Sequence, residues 1–313
     1  MAAHGAPHFA ERDTLAVFAP GGYDPDPGRL ALAQQRFSAA GSSVVTALSD
    51  RRHDRFSGTD AERLHWLETV IGDPAIAIAM ALRGGYGATR LLPQIDFAAM
   101  ATTIRRDGKR FVGHSDFTAI SLGLLATTGA ISFAGPMAGY DFGGESVDPF
   151  MQEHFWRAMR EARVDAAFAA PGAAPLRIDG TLWGGNLAML CSLIGTPWMP
   201  VIDGGVLFIE DINEQPYRIE RMMIQLQQAG VLDRQALVLC GDFSGFRMAD
   251  YDNGYGLEDV IDYVRGTTST PVVTGLPFGH VPRKLTLAVG APVEVEVAGG
   301  VCRLRQSWNL AGT

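Results

Sequence analysis

The sequence predicts an α/β protein: a doubly wound parallel sheet comes first, and a second α/β domain with a β-rich end follows. Three observations carry this. Short apolar runs alternate with helical patterns from Thr14 to Tyr140. Ala75 to Leu82 is continuously apolar, as a strand covered on both faces requires. From Leu285 onward the pattern changes to strand alternation separated by glycine-containing turns. At 313 residues the chain is long enough for two cores.

The elements follow in order. Thr14 to Ala19 is an apolar run stopped by Pro20-Gly21-Gly22, which predicts a strand and a loop. Arg29 to Ala40 has helical spacing and stops at Gly41, and Ser43 to Ala47 reads as a second strand. Thr59-Asp-Ala-Glu62 has the form of a capping box; Leu64, Leu67 and Ile71 then share one helix face, ended by Asp73-Pro74. The strand Ala75 to Leu82 runs into Arg83-Gly84-Gly85-Tyr86-Gly87, and Ala88 to Leu92 starts a short helix. Phe111 to Gly113 is a short strand, followed by a sharp turn and the helix Phe117 to Thr128.

Asp141 to Ile178 has a different character. Gly143-Gly144, a short amphipathic stretch around Phe155 to Met159 and the Ala/Pro-rich residues 166–175 suggest a connection. The division drawn from this is 1–145, 146–177 and 178–313. After Gly180 to Asn186, the residues Leu187, Leu190, Cys191 and Ile194 form a buried helix face. Val206 to Glu210 is a strand, and Pro216 opens a helix carrying Ile219, Met223 and Leu226 up to Gly230. Ala236 to Cys240 and Pro271 to Thr274 are strands, and so are Leu285 to Val289, Val293 to Val297 and Val301 to Arg305.

Composition excludes several classes. An apolar fraction of 47% with 19% charged residues is that of a globular protein. A net charge of −8 without a basic cluster argues against nucleic acid or an anionic membrane as partner. Cys191, Cys240 and Cys302 are far apart and form no C-x-x-C pair, so they read as reduced buried thiols rather than a disulfide framework or metal site. No H-E-x-x-H or Cys/His cluster is present, and no metal or cofactor is expected. Met1 to Asp13 lacks a basic segment followed by an apolar one, and the uncharged stretches Phe117 to Tyr140 and Thr181 to Ile202 are broken by Gly and Pro. The expected address is cytoplasmic, with no membrane span.

Four polar features stand at or shortly after predicted strand ends, where ligands bind in open α/β sheets. They are the Gly84–Gly87 loop, Ser115, Glu210 and His280. Gly113-His-Ser115 resembles the turn that exposes a nucleophilic serine, although Phe117 stands where G-x-S-x-G has its second glycine. The same serine suits a helix N-cap, and on this stretch alone both roles stand. A serine nucleophile needs a base oriented by a third group. His280 is the best placed of seven histidines. His4 and His8 lie near the terminus, His53 and His65 in polar surroundings, His154 in the connection, and His114 beside the serine as a wall residue. Among the acids Glu210 ends an apolar strand, which is costly without a partner; Asp211, Glu214 and Asp242 compete, and an ion pair of Glu210 with Arg218 or Arg221 is the alternative role. The N–H of Asp116 and a glycine N–H from 84–87 are candidates for an oxyanion hole. The glycine loop lacks the Walker lysine and the G-x-G-x-x-G spacing of phosphate loops.

Six blocks in order resemble the LD-carboxypeptidases, or murein tetrapeptide carboxypeptidases, with the related microcin self-immunity peptidases. They are Arg83-Gly-Gly-Tyr-Gly87, Gly113-His-Ser-Asp-Phe-Thr-Ala119, Gly184-Gly-Asn-Leu187, Leu207-Phe-Ile-Glu-Asp211, Pro216-Tyr-Arg-Ile219 and Gly275-Leu-Pro-Phe-Gly-His280. The resemblance implies a Ser115–His280–Glu210 triad split between two domains, a flavodoxin-like first domain, a homodimer and no metal. It implies hydrolysis of the bond between the L-centre of diaminopimelate and a terminal D-alanine in cytoplasmic murein peptides. Gly85 and Asp116 would then supply the oxyanion N–H groups, and Arg83 and Asn186 would hold the substrate carboxylate, with a structural ion pair as the alternative role of Arg83. His114 departs from the aromatic residue expected there. A self-immunity peptidase acting on peptidyl-adenylates is the first alternative, with Trp183 and Trp198 as candidates for stacking on adenine. A non-catalytic peptide-binding protein is the second.

Overall fold

The computed structural model describes residues 13–312, so His4, His8 and nearly all of the stretch 1–13 discussed above lie outside the described residues. The first sheet contains β1 (Thr14–Phe18), β2 (Ser43–Ala47), β3 (Ile76–Ala81), β4 (Arg110–Gly113) and β5 (Ser132–Ala134). All five are parallel in the order β2-β1-β3-β4-β5, which is the flavodoxin-like order. The helices between them are α1 (Pro27–Ala39), α2 (Asp60–Gly72), α3 (Phe97–Asp107) and α4 (Thr118–Thr128). The predicted capping box is formed: Thr59 Oγ1 accepts from the Glu62 N–H at 3.2 Å, and Glu62 Oε2 accepts from the Thr59 N–H at 2.7 Å. At the other end of α2 the buried Lys109 ammonium donates to the carbonyls of Val70, Ile71 and Asp73, where the helix runs out of its own donors. Helix α3 lies beyond the elements read from sequence; Phe97, Met100, Ala101 and Ile104 form its buried face and Gly108 its left-handed stop.

The stretch 146–177 is more than a connection. It contains α5 (Pro149–Glu161), capped by Asp148, and β6 (Arg163–Ala169), the outermost strand of the second sheet. Its outer residues alternate with Val164, Ala166 and Phe168, which are buried.

The second sheet has seven strands in the order β10-β9-β8-β7-β12-β13-β6. Its parallel half is β7 (Leu176–Asn186), β8 (Val206–Ile212), β9 (Leu237–Ser244) and β10 (Val272–Thr274), accompanied by α6 (Leu187–Ser192), α7 (Pro216–Gln228) and α8 (Leu257–Thr267). Its antiparallel half is β7, β12 (Pro292–Ala298), β13 (Val301–Ser307) and β6. The long β7 serves both: Leu176–Thr181 pair with β12, and Leu182–Asn186 pair with β8. Between β10 and β12 the chain crosses back, and β11 (Leu287–Val289) adds an antiparallel edge strand to β5 of the first sheet. The chain that builds the second sheet therefore also supplies the edge strand of the first. No described helix is long and apolar enough to cross a membrane.

Candidate active site

Ser115 sits between β4 and α4 with φ of +61°, in the left-handed region that non-glycine residues seldom occupy. Such a conformation costs roughly 1–3 kcal/mol and is typical of functional turns. The neighbouring sequence explains the turn. A Cβ on Gly113 would lie 2.8 Å from the Phe117 ring, so only glycine lets Phe117 fold back over the strand end. Phe117 is buried there, edge-on to Phe18. The phenylalanine that breaks the G-x-S-x-G pattern is thus the anchor of this turn.

The Gly84–Gly87 loop lies against the serine. A Cβ on Gly84 would stand 2.7 Å from Ser115 Oγ, and Gly85 has a φ of +78°. The loop is held from three directions. Gly84 O accepts from the Gly22 N–H at 3.0 Å. The fully buried Arg63 guanidinium donates to Gly87 O and Pro20 O. Asp116 Oδ2 accepts from the Ala88 N–H at 2.8 Å. Burial pushes the Asp116 carboxyl up to about 6, against the lowering effect of the N–H groups of Ala88 and Gly87. Among the described residues, neither the Gly85 N–H nor the Asp116 N–H donates a hydrogen bond within the protein. Both remain available to an incoming oxygen.

The other half of the site comes from the second sheet. Glu210 is fully buried near the end of β8, where β9 places Gly241 and Asp242 opposite it in a bulge, a device that re-aims side chains beside active sites. Glu210 Oε2 accepts from His280 Nδ1 at 2.7 Å. Its Oε1 accepts from the Asn186 amide at 3.3 Å. With Nδ1 committed as the donor to the carboxylate, Nε2 is the basic nitrogen of His280. The histidine loop is laid against the bulge: Phe278 O accepts from the Asp242 N–H at 2.8 Å, and a Cβ on Gly241 would meet that carbonyl at 2.4 Å. Glu214, not Glu210, pairs with Arg218.

Ser115 and His280 line one cavity of about 510 Å³, together with Gly84, Gly85, Arg83 and His114. Among the described residues no hydrogen bond joins the serine hydroxyl to the imidazole. His114 is buried, donates from Nδ1 to Gly135 O at 2.9 Å, and packs edge-on to His280 with centroids 4.9 Å apart. Burial, with the nearby charges of Lys284 and His280, holds its pKa well below the usual range, so it is a neutral wall.

Asn186 is placed differently from expectation. It is 5% exposed, and its amide is committed to Glu210 Oε1 and to Asp211 Oδ1, the latter at 3.0 Å. It stands behind the carboxylate and does not line the cavity. Its own N–H donates to Thr118 Oγ1 at 3.1 Å, which ties the Glu210 side to the helix that follows Ser115. Asp211 accepts from the Ala188 and Ile212 N–H groups, a structural role. His53 and His65 are exposed, and His154 bonds Phe150 O. Trp183 is core, donating to Gln235, and neither it nor Trp198 lines the cavity.

Sequence reasoning missed a buried ion pair in the cavity wall. Lys284 Nζ lies 2.7 Å from Asp141 Oδ1, and Asp141 Oδ2 accepts from the Met137 N–H. The signal was a lysine directly before the apolar stretch that begins at Leu285, with its partner far away in sequence. Among the described residues no group of His, Cys, Asp and Glu side chains is arranged to hold a metal.

Comparison with known proteins places the chain in a family. Residues 15–135 match the LD-carboxypeptidase N-terminal domain and residues 179–295 the LD-carboxypeptidase C-terminal domain. A probable murein peptide carboxypeptidase of Bacillus subtilis is 31% identical over 91% of this chain and 89% of its own length. The crystal structure of muramoyltetrapeptide carboxypeptidase from Oxalobacter formigenes superposes with a TM-score of 0.89 at 42% identity, covering 94% of this chain and 99% of the other. The microcin C7 self-immunity protein of Escherichia coli is 26% identical over 77% of each chain. The chain belongs to the LD-carboxypeptidase family of peptidases.

Proposed function

From that family membership and the geometry of the cavity, we propose that the protein is a serine carboxypeptidase. It hydrolyses the L,D bond before the terminal D-alanine of murein tetrapeptides through Ser115, His280 and Glu210. The observation that carries the reading is the 2.7 Å bond from His280 Nδ1 to a fully buried Glu210, in a cavity that also holds a serine on a strained turn. A buried carboxylate fixes the imidazole tautomer and stabilises the imidazolium that forms when the serine gives up its proton.

In this mechanism His280 Nε2 takes the Ser115 proton as Oγ attacks the carbonyl of the L-centre. The oxyanion is received by the N–H groups of Gly85 and Asp116, and loss of one such donor typically costs about 3 kcal/mol. His280 then protonates the departing D-alanine amine, and water resolves the acyl-enzyme by the same base. Arg83, on the cavity wall, is the cation offered to the substrate carboxylate. The same proposal includes a homodimer in the cytoplasm, checked by sedimentation and by cell fractionation.

The test is release of D-alanine from L-Ala-γ-D-Glu-meso-diaminopimelate-D-Ala. Wild type should release it, and Ser115→Ala should lose about 10⁴-fold or more in kcat while remaining folded. Cleavage of an acyl-sulfamoyl adenylate without release from the tetrapeptide would move the assignment to a self-immunity peptidase. Binding of the tetrapeptide without turnover of either substrate would leave a peptide-binding protein.

A further inference from the structure

We infer that Arg52, Arg55 and Arg83 form an anion subsite that receives a carboxylate of the peptide substrate beside the catalytic cavity. The inference rests on the peptidase reading above and adds a substrate contact to it. The three arginines line a pocket of about 230 Å³ with Gly22, Tyr23 and Gly85. Arg83 and Gly85 also line the catalytic cavity, so a single strand end forms the wall between the two. The pocket stands at the carboxyl ends of β1 and β3, the switch point of a sheet with this strand order.

Its charge meets no contacting carboxylate, although the Arg55 charge reaches the Asp116 carboxyl at longer range. No carboxylate lines it, and among the described residues none of the three guanidinium groups makes an ion pair. Arg83 Nη1 donates to Tyr23 O at 2.7 Å, while its Nε is buried and has no partner. Its Nη2 lies 3.6 Å from where a Cβ on Gly85 would stand. Arg52 donates to Asp54 O and lies 5.7 Å from the Tyr23 ring centroid; Arg55 lies 5.8 Å from that of Tyr86. These contacts orient the guanidinium planes without neutralising them. Three arginines without ion pairs in one pocket of a chain with net charge −8 concentrate positive potential beside the larger cavity. The planar fork of arginine suits a carboxylate, and the volume suits a small anion. Two carboxylates of the peptide are candidates: that of the terminal D-residue, one residue from the carbonyl held at Gly85, and one on the acyl side.

The test uses the full chain with Arg52→Gln, Arg55→Gln and both together. Tetrapeptide binding is measured by calorimetry in the Ser115→Ala background, and kcat and KM are measured in the active background. Peptides amidated at the terminal carboxylate or at an acyl-side carboxylate distinguish the two sources. The double variant should bind about tenfold more weakly and raise KM with little change in kcat. It should also erase the penalty for amidating whichever carboxylate occupies the pocket. Binding within about twofold of the parent, with every amidation penalty unchanged, would overturn the subsite. If wild type releases no D-alanine but the arginine variants still weaken binding, the carboxypeptidase reading fails and the subsite stands.

Discussion

At the end of β4 the serine is held by backbone geometry, whereas near the end of β8 the acid and the histidine it orients are held by side-chain hydrogen bonds. The first region relies on a positive φ at Ser115, on glycines at 84, 85 and 113 that leave no room for a Cβ or permit a turn, and on N–H groups without partners. The second relies on Asn186, Glu210 and His280 bonded in series. Preorganisation by backbone leaves donors open to the substrate; preorganisation by side chains closes donors onto one another and fixes a tautomer. The two regions should therefore fail differently when altered.

With Ser115 itself left in place, the largest effect is expected in the side-chain region. Glu210→Gln keeps the shape but offers the imidazole an amide, which permits the wrong tautomer; kcat should fall about 10³–10⁴-fold with KM little changed. Steady-state kinetics on the tetrapeptide check this, and a loss under about tenfold would break the contrast. The next prediction concerns stability and the backbone region. Burial raises the Asp116 carboxyl from 3.8 to about 6, so the folded state binds this proton more tightly than the unfolded chain does. Its contribution is present below about pH 4 and is lost as pH rises through 6. Asp116→Asn removes that loss, so between pH 4 and pH 8 the variant should gain roughly 2 kcal/mol on wild type in urea unfolding. An unchanged pH profile would show that the carboxyl does not titrate there. The smallest effect is steric. Gly84→Ala places a Cβ 2.7 Å from Ser115 Oγ and should cost about tenfold to a hundredfold in kcat/KM by displacing the nucleophile, with the fold retained on circular dichroism.

Much of this was legible because the responsible forces are local. The capping box at Thr59, the helix opened by Pro216 and the apolar strand at 76–81 each announce themselves within one turn or one strand. The serine turn, the glycine loop, Glu210 and His280 were visible for the same reason: each punctuates a strand end. Helices α3 and α8 were passed over although Phe97, Met100 and Ile104, or Val260, Ile261 and Val264, carry helical spacing. In α3, alanine and threonine fill the intervening positions and dilute the contrast between faces. Strand β6 was hidden in the same way by alanines, and only its pairing with β13, far away in sequence, makes it a strand. Asn186 was assigned to the substrate because polarity near a site is visible in sequence, whereas the direction of an amide is set by Glu210 and Asp211 in three dimensions. Arg63 and the Lys284–Asp141 pair were illegible for that reason too.

The strand β11 also bears on how the protein is made. Until residues 287–289 leave the ribosome, β5 has one unpaired edge and the first sheet lacks its last strand. His280 is synthesised only a few residues earlier, just before the segment that closes that sheet. The sheet that carries Ser115 is thus begun first but completed only after most of the second sheet's parallel strands, by the same stretch of chain that delivers His280. A nascent chain carries Ser115 for more than half of its synthesis before His280 is added. Truncation before residue 287 would leave an open strand edge, which is a site for association between chains, and not a smaller working enzyme.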